Sequence, residues 1–156
     1  MKKPFGQGRG AEHAHGNSAG RFSSYLSVRE VSLASSVRFT NPAAALHDLK
    51  IAAELNPLDS LPGRLAGTIA LQNAQYVVAE QRFQQSISRE RLGWFSWLGA
   101  GLAASALGQR RQAHADFVIA KSINSQQPAI RQALARVYSR APLTSAEAFK
   151  LLVVTD

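Results

Sequence analysis

The 156-residue chain has no cysteine, which removes disulfides, thiolate metal ligands and cysteine nucleophiles and leaves the redox compartment undetermined. Acidic residues are scarce, ten against eighteen Lys and Arg, and they are scattered. No paired carboxylates stand ready for general acid–base work. The resulting net charge of +8 favours anionic partners as a class: acidic proteins, phospholipid surfaces, anionic glycans or nucleic acid. Charge does not choose among them. Charged residues total only 18% while hydrophobic ones reach 46%, so a single domain with a sizeable core is expected.

A clean membrane-length apolar run is also missing. The longest uncharged window, Leu92 to Gln109 (LGWFSWLGAGLAASALGQ), is diluted by Gly, Ala and Ser and predicts a buried helix packed through small side chains. Lys2, Lys3 and Arg9 make the N-terminus basic, but no apolar stretch follows them as in a secretory signal. The expectation is a soluble chain with no membrane span, cytoplasmic by default.

What is present is helical. Residues 1–24, opening MKKPFGQGRGAEHAHGNSAG, read as a flexible basic tail. From Tyr25 onward Leu, Val and Ala recur at helical spacing, punctuated by short turn signals. Asn41-Pro42 supplies an N-cap and a Pro at the first helical position, and Asn56-Pro57 ends the helix it opens. Gly108 closes a helix beginning near Trp94, and Gln127-Pro128 opens another. Ala141-Pro142 breaks the chain again. Residues 141–156 are then a C-terminal capping helix or tail, with Ser145 as its cap. No stretch alternates with period two for long enough to argue a strand, so the predicted class is all-α.

The pattern repeats. Ala45, Ala79 and Ala113 stand 34 residues apart, each followed four positions later by Leu49, Phe83 or Phe117. Gly67, Gly101 and Ala135 keep the same interval, as do Ala66, Ala100 and Leu134. Asn56 and Asn124 are two periods apart at helix ends. Each unit is then two antiparallel helices, too small to bury its apolar faces alone, so neighbours must stack. Close approach demands Gly or Ala at the crossings, with Gly101 and Ala113 the contacts of one unit and Trp97 and Phe117 its filling side chains.

These columns resemble the tetratricopeptide repeat (TPR), with small residues at fixed points of a 34-residue helix pair. The third unit fits best, through Trp97, Ala100, Gly101, Ala104, Ala113, Phe117 and Ala120. The first keeps Ala45, Leu49, Ala52 and Pro57, although its leading helix (Tyr25–Phe39) fits poorly. The second has Arg91 where the family has Pro, and a fourth begins with Leu134, Ala135 and Tyr138 and then degrades. The resemblance implies a short antiparallel helix-pair solenoid over residues 25–140, about three repeats plus a capping helix. It implies a non-catalytic module that binds a protein or peptide segment, one carrying acidic groups, in a concave groove. The family's groove positions fall on Glu30, Arg64, Thr68, Leu98, Leu102, Gln132 and Arg136. In that register Trp97 fills the stack, leaving Leu98 and Leu102 free as an apolar strip flanked by Arg64 and Arg136.

A narrower likeness lies in NPAAALHDLKIAAELNPLDSLPGRLAGTIAL. It is similar to the soluble repeat tail of bacterial O-antigen ligase or polymerase-like proteins, where an Ala- and Leu-rich helix also runs into an Asn-Pro-Leu turn (here Asn56-Pro57-Leu58). That likeness implies an accessory tail of a membrane glycan-assembly protein, membrane-associated or extracytoplasmic if the chain is a fragment of one. It carries no catalytic function, because the multi-span part has no counterpart here.

Little else suggests chemistry. His13-x-His15 lies in the tail, and His47 and His114 stand alone on helices, so no metal ligands converge. Gly6-x-Gly8-x-Gly10 has neither the strand nor the helix of a nucleotide loop, and no G-x-S-x-G elbow occurs. No cofactor and no enzyme activity are expected. The basic excess is uneven. From Arg91 to Ala146 the only acid is Asp116, against Arg91, Arg110, Arg111, Lys121, Arg131, Arg136 and Arg140. A solvated face explains this, and binding of nucleic acid or another anionic polymer is the sharper alternative, without a recognised binding module beside it.

Overall fold

The structure, a computed structural model, describes residues 40–153. The expected tail, the leading helix Tyr25–Phe39, Glu30, the His13/His15 pair and the Gly6 to Gly10 motif lie outside the described residues. Seven helices and no strand occur among those described: α1 (Pro42–Leu55), α2 (Leu61–Gln72), α3 (Tyr76–Arg89), α4 (Trp94–Ala106), α5 (Arg110–Ile123), α6 (Pro128–Arg136) and α7 (Ser145–Val153).

Local chemistry sets these boundaries. The Asn41 side chain accepts from the Ala44 amide at 3.1 Å and Pro42 opens α1. Gln127 caps α6 in the same manner, accepting from Ala129 at 3.3 Å. Asn56, Glu90 and Asn124 close α1, α3 and α5 with matching backbone angles. The turns after α2 and α4 are also copies, 34 residues apart. Ala74 at φ +56° and Gly108 at φ +78° both enter the left-handed region. Gln75 donates to the Ala70 carbonyl and Gln109 to that of Ala104, each at 2.9 Å. This is the left-handed helix ending for which glycine is suited, and in the earlier copy alanine bears the strain. Only the Gly108 copy was conspicuous in the sequence.

Helices α2 with α3 and α4 with α5 form antiparallel pairs, and α3 packs in turn on α4. The first helices of successive pairs, α2 and α4, touch each other, so the stack has an inner side made by these two. The small-residue columns lie at the crossings. A Cβ on Gly101 would fall 2.5 Å from Phe117, and one on Gly67 2.9 Å from the Phe83 ring. Gly63 also admits the α3 backbone closely, its absent Cβ standing 3.1 Å from the Arg82 carbonyl oxygen. Beside these contacts the Ser86 and Ser96 hydroxyls satisfy each other at 2.9 Å in the α3/α4 interface. The main core runs from Ala70 and Phe83 through Leu98, Leu102 and Phe117 to Ile130 and Val137, with a smaller cluster of Ala45, Leu49, Ala66 and Ile69 between α1 and α2.

The uncharged window that approached membrane length forms α4, thirteen residues with nine of them buried. Among the described residues no helix is long and apolar enough to cross a membrane.

The fourth unit is where the stack departs from its own period. Ala45, Ala79 and Ala113 lead, one further step of 34, to Glu147. A carboxylate cannot enter a crossing built for a methyl group, so α7 does not complete a pair on the pattern of α3 and α5. Its absence there leaves Ala135 exposed, although Gly67 and Gly101 of the same column are buried.

Candidate interaction groove

Helix α7 instead turns back onto the inner side. It touches α6 and α2, and the ring of Phe149 packs 6.5 Å from that of Phe95 at the start of α4. The segment leading into it, Pro142 to Ser145, lies beside Leu71, Tyr76, Leu102, Ser105 and Ala106. Since Leu102 to Ala106 end α4 and Phe95 begins it, α7 runs antiparallel to α4. It covers the inner face.

Two devices hold it there. Thr144 and Glu147 form a reciprocal cap: the Thr144 amide and hydroxyl each donate to Glu147 Oε2 at 2.9 Å, and the Glu147 amide donates back to the hydroxyl at 3.3 Å. The cap is therefore Thr144, and Ser145, expected in that place, is the first helical residue. Arg136 then clamps the connection. Its guanidinium donates to Glu147 Oε1 at 3.2 Å, to Oε2 at 3.4 Å, and to the carbonyls of Ala141 (2.9 Å) and Pro142 (3.4 Å). The Thr144 donors first, and then Arg136, hold the Glu147 carboxyl down at about 2, well below its ordinary 4.5.

The sequence-derived groove residues divide accordingly. Arg64 is half-buried on α2, and Thr68 turns its hydroxyl back to the Arg64 carbonyl at 2.9 Å. Gln132 is exposed on α6, and Arg136 is engaged as described. Leu98 and Leu102 require a correction. They are 1% and 3% exposed and belong to the core cluster with Val137, Leu143 and Ala148, against which Phe149 and Leu151 pack. The expected free strip is covered. Trp97, expected inside the stack, is the half-buried one, its indole N–H donating to the Arg91 carbonyl at 2.8 Å.

The cover leaves a cavity of about 90 Å³ between α7's entry and the ends of α2 and α4, far below the several hundred Å³ of ordinary substrate pockets (roughly 300–1,000 Å³). Among the described residues no three metal-ligating side chains gather. His47 is exposed, and His114 stacks on Tyr138 with ring centroids 5.5 Å apart.

Electrostatically the C-terminal half is more one-sided than its sequence. Asp116, the sole acid between Arg91 and Ala146, is 1% exposed. Gln112 donates to its Oδ1 at 2.9 Å, while Oδ2 has no hydrogen-bond partner among the described residues. Burial pushes its carboxyl up to about 6, the Gln112 bond pulling it down and the nearby Glu80 raising it further. Arg91, Arg110, Arg111, Lys121, Arg131 and Arg140 are all exposed.

Sequence reasoning missed Phe95, Leu71, Glu147 and Phe149 as parts of this site. The T-S-A-E run of Thr144 to Glu147 was the available signal, because Thr and Glu three apart before an apolar stretch mark a helix start.

This stack of helix pairs has the tetratricopeptide-repeat fold. The Arabidopsis OM64 TPR domain superposes with a TM-score of 0.70 at 18% identity, over 76% of this chain and 99% of that one. The first TPR of Spaghetti (RPAP3), bound to the HSP90 peptide SRMEEVD, gives 0.70 at 12% identity, over 73% and 91%. MamA gives 0.68 at 17% identity, over 81% and 74%. No family model matches the chain, and no curated protein matches it.

Proposed function

We propose that the chain is a non-catalytic protein-interaction scaffold whose inner groove, between α2, α4 and α6, binds a helical segment of a partner protein. One observation carries this: the groove holds a helix, α7, seated by an aromatic contact to Phe95 and by a carboxylate paired with Arg136. The same elements supply what an acidic amphipathic ligand needs, an apolar floor in Leu98 and Leu102 and cationic or polar edges in Arg64, Thr68, Gln132 and Arg136. The solved Spaghetti (RPAP3) domain with its bound HSP90 peptide supports a groove of this kind, by analogy of fold alone.

The test is capture of partners on the full chain and on Arg64→Glu with Gln132→Glu, both checked for unchanged melting. Partners lost from the double variant support the groove. Equal capture by the two refutes it.

The exposed basic surface, with its single acid buried, favours a second function, electrostatic binding of nucleic acid or another anionic polymer. Binding that falls steeply with added salt distinguishes it. The likeness to O-antigen ligase-like tails rests on the Asn56-Pro57-Leu58 turn, and in-frame membrane spans in the DNA upstream of Met1 would support that setting.

A further inference from the structure

We infer that α7 is a detachable self-ligand, and that the groove it vacates accepts in trans an amphipathic helix carrying a carboxylate and, two residues further on, an aromatic side chain. The inference rests on the proposed use of the groove and adds to it the partner's chemistry and a built-in competitor.

The nine residues of α7, like the nine of α6, are too few to hold a helix together in water unaided (about 12–15 residues), so its helicity depends on docking. Two features separate α7 from the body of the fold. Its ion pair is rim-like, the Arg136 and Glu147 side chains being 33% and 45% exposed, a class of contact that breaks and re-forms readily. Its fit is incomplete, with the cavity between Leu71, Leu102 and Leu143 left unfilled. The body is the opposite: Phe83 and Phe117 are 0% and 1% exposed and are held at glycine crossings.

What α7 covers is chemically a ligand site. Leu98 and Leu102 lie one helical turn apart on α4, with Phe95 beside them on its first turn. Left bare they would form a continuous apolar patch, which a soluble surface does not normally display. Helix α7 supplies Phe149 to Phe95 and Glu147 to Arg136, the acid and the aromatic two positions apart. A partner helix with that spacing reproduces both contacts. The same covering explains why the groove is not a standing exposed patch: the partner must first compete with a segment already tethered beside it, at high effective concentration.

The experiment uses the full chain and a fluorescent peptide of residues 141–156 (APLTSAEAFKLLVVTD), read by anisotropy. Full chain carrying Glu147→Lys and Phe149→Ala, with its own helix weakened, is expected to bind the peptide at least about tenfold more tightly than the unaltered chain, since occupancy in cis lowers apparent affinity by the unoccupied fraction. Adding Arg136→Glu to that chain should abolish binding, and a peptide with Glu147→Lys should restore it. A folded, cooperatively melting double variant that binds the peptide no better than the unaltered chain overturns the inference, as does binding indifferent to the charge exchange. Hydrogen exchange on the unaltered chain gives an independent measure should the variant unfold. Amides of α7 are expected to exchange through local opening, well ahead of those in α3 to α5, and exchange of α7 only with global unfolding overturns the inference. Because the ligand is the chain's own segment, the peptide can bind while partner capture through the groove fails, so the two readings fail separately.

Discussion

Phe83 reaches from α3 into α4 until its ring meets the backbone at Gly99, where a Cβ would stand 2.3 Å from Cζ. The base of the same ring meets Gly67 of its own pair, at 2.9 Å from the missing Cβ. One side chain thus fastens two successive units, and with 0% exposure it has nowhere to withdraw.

Gly99→Ala is therefore expected to destabilise the fold by about 1–3 kcal/mol through overpacking. In an open helix the same change would stabilise by roughly 0.5–1 kcal/mol, so the sign of the shift in a urea midpoint decides. Gly101→Leu, facing Phe117, should move in the same direction. Phe83→Leu in the Gly99→Ala background should recover part of the loss.

Ala74 offers the reverse case. Its left-handed backbone costs an L-residue about 1 kcal/mol that glycine avoids, and its counterpart 34 residues on is Gly108. Ala74→Gly should raise the melting temperature, although glycine ordinarily lowers stability. No rise in a thermal scan would refute the strain.

Asp116 makes stability depend on pH. Its folded carboxyl sits near 6 against an ordinary 3.8, so the unfolded chain ionises it more easily. Its penalty is absent below about pH 3.8, grows through the interval and is complete above about pH 6. Asp116→Asn should add on the order of 2 kcal/mol at pH 7 and little near pH 3.5. Urea titrations at the two values check the difference.

Glu147 has the opposite sign. Its carboxyl is held at about 2 against an ordinary 4.5, so its contribution to α7 docking is full above pH 4.5 and is lost as pH falls toward 2. Phe149 touches Phe95, which touches Trp94 with ring centroids 5.8 Å apart. Tryptophan fluorescence should accordingly change across that interval before helicity collapses. Glu147→Gln should lack the transition.

Leu98 tests whether the apolar strip is core or surface. Leu98→Ala should cost about 2–5 kcal/mol, as for buried leucines elsewhere. Leu102→Asp on top of it should expel α7 from the groove, because docking would bury an unpaired charge. A double variant with native melting would mean that α7 does not cover these positions.

Much of this fold was legible because its signals are local or periodic. Pro42, Pro128, Asn41, Asn56 and Gly108 mark helix ends through their own backbones and side chains. The 34-residue columns expose the glycine crossings. Gly99 escaped because it belongs to no column, facing the preceding unit while Gly101 faces its own. The state of Leu98 and Leu102 escaped for a deeper reason. Register and family likeness make them a free strip, and what covers them is a segment some 45 residues downstream whose docking leaves no periodic trace. Arg136 was singled out as a groove cation, but its partner within the chain, Glu147, was not.

Glu147 at the alanine column gives α7 only one berth. Were that residue Ala, as at the three earlier steps, the segment could pair with α6, shelter Ala135 and complete a further helix pair. The acidic side chain forbids that second mooring while supplying the hook for the first. When α7 leaves the groove it goes to water, so its docking is weighed against solvent rather than against a second docked position.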